Sequence, residues 1–100
     1  MRKSITIGEV TINPSKMEIT TSNGAFVAQK KIFEACYLLM SNAGRVVTRE
    51  ELQRFVWRDM SYVDPRAMNT CIANVRKIVG SSYLTTFKMT GYMFNGDGKD

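Results

Sequence analysis

One run of the chain, DPRAMNTCIANVRKIVG from Asp64 to Gly80, is punctuated at both ends and patterned throughout, and it constrains the fold more than any other stretch. Asp64 can accept a hydrogen bond from the first free amides of a helix. Pro65 suits the first helical position because its missing N–H would be unpaired there, and Gly80 can close the far end. The spacing predicts a helix over 65–79. Met68, Cys71, Ile72, Val75, Ile78 and Val79 recur at i, i+3, i+4 and i+7, so at about 100° per residue they form one apolar stripe that belongs to a core. The opposite face carries Arg66, Thr70, Ala73, Asn74 and Lys77, flanked by Asn69 and Arg76, with no carboxylate among them. Small, hydrogen-bonding and cationic side chains suit phosphates and base edges. Contact with water alone also accounts for such a face on most amphipathic helices, so the rest of the chain has to decide.

Charge favours a polyanionic partner. Fourteen Lys and Arg against nine Asp and Glu give a net charge of +5 and a pI near 9.5. Between Arg45 and Lys88 eight cations meet four anions, so that part holds +4 of the total. One hundred residues, 44% of them hydrophobic, make one domain with a core that needs no metal or disulfide staple. Cys36 and Cys71 each fall on the apolar stripe of a predicted helix without metal or redox-motif spacing, which reads as two buried, reduced thiols in a cytoplasmic protein. The opening MRKSITIGEV alternates and so does not read as a signal peptide, and nothing reaches the roughly 20 apolar residues of a membrane span. A membrane tether would require chain beyond Asp100. The chain has no histidine, no nucleophile beside a base, no phosphate-cradling glycine loop and no zinc spacing, so no enzyme, cofactor, metal or small-molecule substrate is expected.

In chain order, residues 4–28 read as a small antiparallel sheet. ITIGEVTI alternates as one run, Asn13-Pro14-Ser15 turns, MEITT alternates, Ser22-Asn23-Gly24 turns, and AFVA follows. A first helix is expected over about 29–43, with Ile32, Ala35, Cys36, Leu39 and Met40 on one face and Phe33 and Leu38 widening it, hence packed on two sides. Lys30 and Lys31 at its start gain nothing from the helix dipole and read as solvated, with a phosphate contact as the alternative. Val46 and Val47 form a brief extended link. In TREE, Thr48 can cap a second helix over 49–57 while Glu51 bonds back. Leu52, Phe55 and Val56 make its inner face, and Trp57 closes the core instead of stacking on a base. Residues 58–63 make a connection longer than the tight turn of a minimal helix-turn-helix. After Gly80, YLTTF and GYMF around Lys88-Met89-Thr90 read as a hairpin over 83–95, and NGDGKD reads as a frayed tail.

Strands, helix, helix, loop, helix and hairpin follow the order of a winged helix. The residues are similar to the OmpR/PhoB-type effector domain over nearly the whole chain: GRVVTREEL (Gly44 to Leu52), Val56-Trp57, YVDPR (Tyr62 to Arg66), I-x-x-V-R-K (Ile72 to Lys77) and GYMF (Gly91 to Phe94). FVWR, from Phe55 to Arg58, and a sheet beginning almost at Met1 also resemble ToxR-type regulators, in which the DNA-binding domain comes first. The resemblance implies an α+β winged helix-turn-helix: an N-terminal antiparallel sheet, three helices and a C-terminal β-hairpin wing. It implies a bacterial transcription regulator whose third helix enters the major groove of double-stranded DNA and whose wing reaches the minor groove. Pairing as a homodimer on direct repeats and a contact with RNA polymerase through Arg58, Asp59, Met60, Ser61 and Tyr62 go with it.

Carried over position by position, Arg66, Arg76, Lys77 and Lys88 match phosphate-binding residues, and Asn69, Thr70, Ala73 and Asn74 occupy base-facing positions. Many relatives carry arginine where this chain has Ala73 and Asn74, so guanine reading by Arg is unavailable there, while adenine reading by Asn74 is open. Met89 stands where the wing usually has glycine or a basic residue. The competing expectation keeps the fold but makes it a protein–protein interaction module, a co-regulator or dimerisation domain, with Met68, Met89 and Met93 as an adaptable surface.

Overall fold

The computed structural model describes residues 2–96, and four strands, three helices and a wing follow one another along them. Strands β1 (Ile5–Ile7), β2 (Val10–Asn13), β3 (Glu18–Thr21) and β4 (Gly24–Val27) form an antiparallel sheet in sequence order. Helix α1 (Lys30–Ser41) follows, then β5 (Val47–Thr48), α2 (Arg49–Val56) and α3 (Pro65–Val79). A short 3-10 turn (Ser81–Tyr83) leads into β6 (Leu84–Phe87) and β7 (Gly91–Phe94), and the second sheet has the order β5-β7-β6. The architecture is the winged helix-turn-helix read from the sequence.

Two expectations about strands need correction. ITIGEVTI is not one strand: it folds back on itself as β1 and β2, with Ile7 opposite Val10. Gly8 makes that turn at φ 58°, and a Cβ there would also run into the Tyr83 hydroxyl, which accepts a hydrogen bond from the Glu9 N–H at 2.8 Å. The stretch read as an extended link is also more than that, because Val47 and Thr48 pair with Tyr92 and Gly91 and turn the wing hairpin into a three-stranded sheet.

Asn95, the last residue of the expected hairpin and the first of NGDGKD, is buried. Its side chain donates to Ser82 O at 2.7 Å and accepts from Thr85 Oγ1 at 3.0 Å. The remainder of that tail beyond Gly96 lies outside the described residues.

Local sequence explains the helix boundaries. Thr48 Oγ1 accepts from the Glu51 N–H at 3.1 Å while a Glu51 carboxylate oxygen accepts from the Thr48 N–H at 2.9 Å, so the capping box at α2 is complete. Asp64 caps α3 by accepting from the Arg66 N–H at 2.9 Å, Pro65 takes the first position, and Gly80 ends the helix at φ 102°. Helix α1 begins at Gln29 without a side-chain cap and is held instead by its surroundings, touching β1, α2, α3 and β7. It is the hub of the core, where Phe33, Cys36 and Leu39 meet Val10, Ile12 and Ile19 from the first sheet, Leu52 from α2, Val75 from α3 and Phe94 from the wing. Glu34 is buried there too, bound by both terminal nitrogens of Arg2 at 2.8 and 2.9 Å. Among the described residues no helix is long and apolar enough to cross a membrane.

Candidate nucleic-acid interface

The apolar stripe of α3 buries Met68, Cys71, Ile72, Val75 and Val79, which fixes the rotation of the helix and turns its opposite face outward. Arg66, Asn69, Thr70, Ala73 and Lys77 are exposed on that face, and Asn74 and Arg76 are half-buried along its edges. No acidic residue lies within the helix. The nearest carboxylate is the cap, Asp64, which pairs with Arg66 at 3.0 Å. The Arg66 side chain remains 89% exposed. The guanidinium of Arg66 first, and its backbone N–H second, hold the Asp64 carboxyl below its ordinary range, so the cap stays anionic.

The wing is tied to α3 and α2 by two arginines. Arg76 Nη2 donates to Thr86 Oγ1 at 2.7 Å and to Leu84 O at 3.4 Å, so this residue, expected as a free phosphate ligand, also joins α3 to β6. Arg49 was not among the expected site residues. It donates to the Tyr92 hydroxyl of β7 at 2.7 Å and to Asn69 Oδ1 of α3 at 3.3 Å. Only its place beside the capping Thr48 was visible in sequence, and its partners lie 43 and 20 residues away. At the wing tip Lys88 and Met89 are exposed, and the turn closes with Thr90 N–H donating to Phe87 O at 2.9 Å. Met89 adopts φ 61° and is 90% exposed, a left-handed position that glycine would occupy without strain.

Lys31, read as solvated, sits with Arg66, Thr70 and Asn74 around an open groove of about 580 Å³ floored by Trp57 and Cys71. Its ammonium lies 5.7 Å from the Trp57 ring centroid. Trp57 itself is buried, as expected of a residue that closes the core. Arg58, Asp59, Met60, Ser61 and Tyr62 are all exposed in the connection between α2 and α3, with Val63 buried to anchor its end. Of the methionines considered for an interaction surface, Met68 is buried, Met93 half-buried and Met89 alone exposed.

Burial pushes the Cys36 thiol up to about 12 and the Cys71 thiol up to about 11, so both stay protonated at neutral pH. Among the described residues no three His, Cys, Asp or Glu side chains come together to hold a metal ion.

Comparison with known proteins agrees with this arrangement. YvcP of Bacillus subtilis, described as an uncharacterized transcriptional regulatory protein, is 24% identical over 96% of this chain and 42% of its own length. This chain thus spans under half of that curated relative. The response regulator DrrB of Thermotoga maritima, an OmpR/PhoB homologue, superposes with a TM-score of 0.82 at 31% identity, covering 95% of this chain and 45% of that one. The DNA-binding domain of CpxR from Escherichia coli superposes with a TM-score of 0.81 at 22% identity over 95% of this chain and 98% of that one, a likeness of fold. Residues 25–94 match the family model described as transcriptional regulatory protein, C terminal. The chain therefore belongs to the OmpR/PhoB-type family of transcription-regulator DNA-binding domains.

Proposed function

We propose that this domain regulates transcription by laying α3 in the major groove of double-stranded DNA and the β6–β7 wing along the adjacent minor groove. Domains of this family bind DNA and are not enzymes. The observation that carries the reading is the exposed, carboxylate-free face of α3, flanked by a wing that Arg76 and Arg49 hold against it. Arg66, Lys77 and Lys88 contact phosphates and set the register, Arg76 does so with the nitrogens it does not give to β6, and Asn69, Thr70, Ala73 and Asn74 face base edges. Lys31 adds a cation at the rim of the same groove. Two copies bind side by side on direct repeats, and the exposed loop from Arg58 to Tyr62 is offered to RNA polymerase.

The rival reading, a protein-interaction module, gives the same face of α3 to another regulator or a second copy, and burial of Met68 takes it out of the methionine surface that would have suited that role. Backbone amide NMR during addition of a random-sequence duplex at low salt, repeated at higher salt, separates the two. Amides from Arg66 to Lys77 and around Lys88 should move together and recover as salt rises. If they stay still, the face serves a protein. Lys88→Ala should weaken every duplex about equally and lower the salt slope by about 1, whereas Asn74→Ala should cost roughly 1–3 kcal/mol on the preferred site alone.

A further inference from the structure

Arg49 stands where α2, α3 and the wing meet. Its backbone N–H donates to Thr90 O at 3.2 Å, its Nη1 donates to the Tyr92 hydroxyl at 2.7 Å, and its Nη2 donates to Asn69 Oδ1 at 3.3 Å. Tyr92 is buried, and its ring centroid lies 5.9 Å from the guanidinium carbon, so Arg49 is positioned by the wing and not by Asn69. A guanidinium has five N–H donors and no acceptor. The atom of the Asn69 amide that meets it is therefore the oxygen, and the NH2 group is turned away from Arg49 on an exposed stretch of α3.

We propose that Arg49 determines what Asn69 reads: with its oxygen turned to Arg49, Asn69 presents its N–H donors to the major groove and selects guanine over adenine. The proposal rests on the placement of α3 in the major groove given above. A free asparagine reads adenine with two bonds, donating to N7 and accepting from the N6 amino group. The second bond is weakened when the oxygen turns to Arg49 and one of its two lone pairs already accepts from the guanidinium. Guanine presents two adjacent acceptors, N7 and O6, whereas adenine and thymine present one each, N7 and O4, and cytosine only a donor. Asn74, which Arg49 does not touch, keeps both halves of its amide for adenine. Arg49 is a positioning residue here, acting through Asn69.

Selection from a random duplex library with the 100-residue chain and its variants tests this. The wild type should enrich guanine over adenine at one position by roughly tenfold. Asn69→Ala should flatten that position and leave the others unchanged. Arg49→Met keeps an apolar stem beside Tyr92 but has no donor, and it should move the same position toward adenine. Asn69→Asp gives Arg49 a partner but has no N–H to offer, so it too should lose guanine. Tyr92→Phe, which removes the hydroxyl that anchors the Arg49 guanidinium, should also move the position toward adenine and decides the question if Arg49→Met does not fold. Guanine preference that survives Asn69→Ala, Asn69→Asp, Tyr92→Phe or a folded Arg49→Met overturns the proposal while leaving DNA binding intact. Failure of the wild type to bind any duplex at low salt overturns the placement of α3, and the proposal with it.

Discussion

The molecule has two small antiparallel sheets that are fixed to the helices by different forces. The N-terminal sheet pairs each strand with its sequence neighbour and presses Val10, Ile12 and Ile19 into the core against α1. Apolar burial holds it, with the Arg2–Glu34 pair and the Tyr83 hydroxyl as polar latches. The wing sheet recruits β5 from far earlier in the chain and adds directional bonds from Arg49 and Arg76 to its apolar anchors Leu84 and Phe94. Hydrophobic contact is non-directional and sets proximity, while hydrogen bonds set angles. The sheet that supports is thus attached mainly by burial. The sheet next to α3 is attached by burial and by bonds that hold its orientation to that helix.

Substitutions should pull these two attachments apart. The largest effect is expected from Ile19→Ala, which empties a fully buried position of the N-terminal sheet and should cost about 3–4 kcal/mol in urea unfolding, with duplex affinity of the folded fraction unchanged. A marked loss of affinity in that variant would mean that the two sheets are mechanically coupled. Next comes Gly91→Ala. Its Cβ would run into Val47 O and lie 2.9 Å from Thr48 Cα, both backbone, so β5 must leave β7. A cost of roughly 3 kcal/mol is expected, this time with weaker DNA binding, because the wing moves. Gly24→Ala is the control. Its Cβ meets nothing within 4 Å and only the φ of 122° opposes it, so about 1 kcal/mol should be lost without effect on binding.

How much of this could be read beforehand differs between the two sheets and for physical reasons. Caps are local: Thr48 with Glu51, and Asp64 with Pro65, lie within three residues of the amides they serve, and both helix starts were legible. The stripe of α3 was legible because one side of a helix repeats in sequence. The hairpin inside ITIGEVTI left a signal that a search for alternation alone passes over. Ile5 and Ile7 have odd numbers and Val10 and Ile12 even ones, and that change of parity marks a two-residue turn at Gly8-Glu9. Strand β5 was beyond reach. Two residues carry no period, and their partners lie more than 40 positions away. Distance in sequence likewise hid the partners of Arg49 and left Asn69 looking like a free amide. Sequence therefore identified the residues of the candidate face, but not the bonds between them.

Arg76 ties the wing to α3 through a donor that a single substitution removes. Arg76→Met keeps the stem along α3 but removes the donor to Thr86 and Leu84 O, which in a half-buried setting should cost about 1 kcal/mol of stability. If orientation of the wing is what that bond supplies, duplex affinity should fall by more than the loss of one cation explains. A double mutant with Lys88→Ala measures the excess: strict additivity of the two in binding free energy would show that Arg76 acts only as a charge.

The smallest effect expected lies at the junction itself and depends on pH. Arg45 first, and the Thr48 backbone N–H second, lower the Glu51 carboxyl from its ordinary 4.5 to about 2 in the folded chain. A group whose folded pKa lies below its unfolded value stabilises the fold above the unfolded value, and that contribution disappears as pH falls through the folded one. The capping box should therefore be intact above pH 4.5 and lost between there and pH 2. Since Thr48 is both the cap of α2 and the end of β5, its loosening frees α2 and the wing together, while the N-terminal sheet keeps its apolar hold. Hydrogen exchange followed from pH 5 to pH 2.5 should show amides of β5, β7 and the first turn of α2 opening before those of β2 and β3. Glu51→Gln should flatten that difference with pH, and Thr48→Ala should shift it by about 1 kcal/mol at every pH where Glu51 is charged. Equal opening of both sheets across the range would show that the wing, too, is held by burial alone.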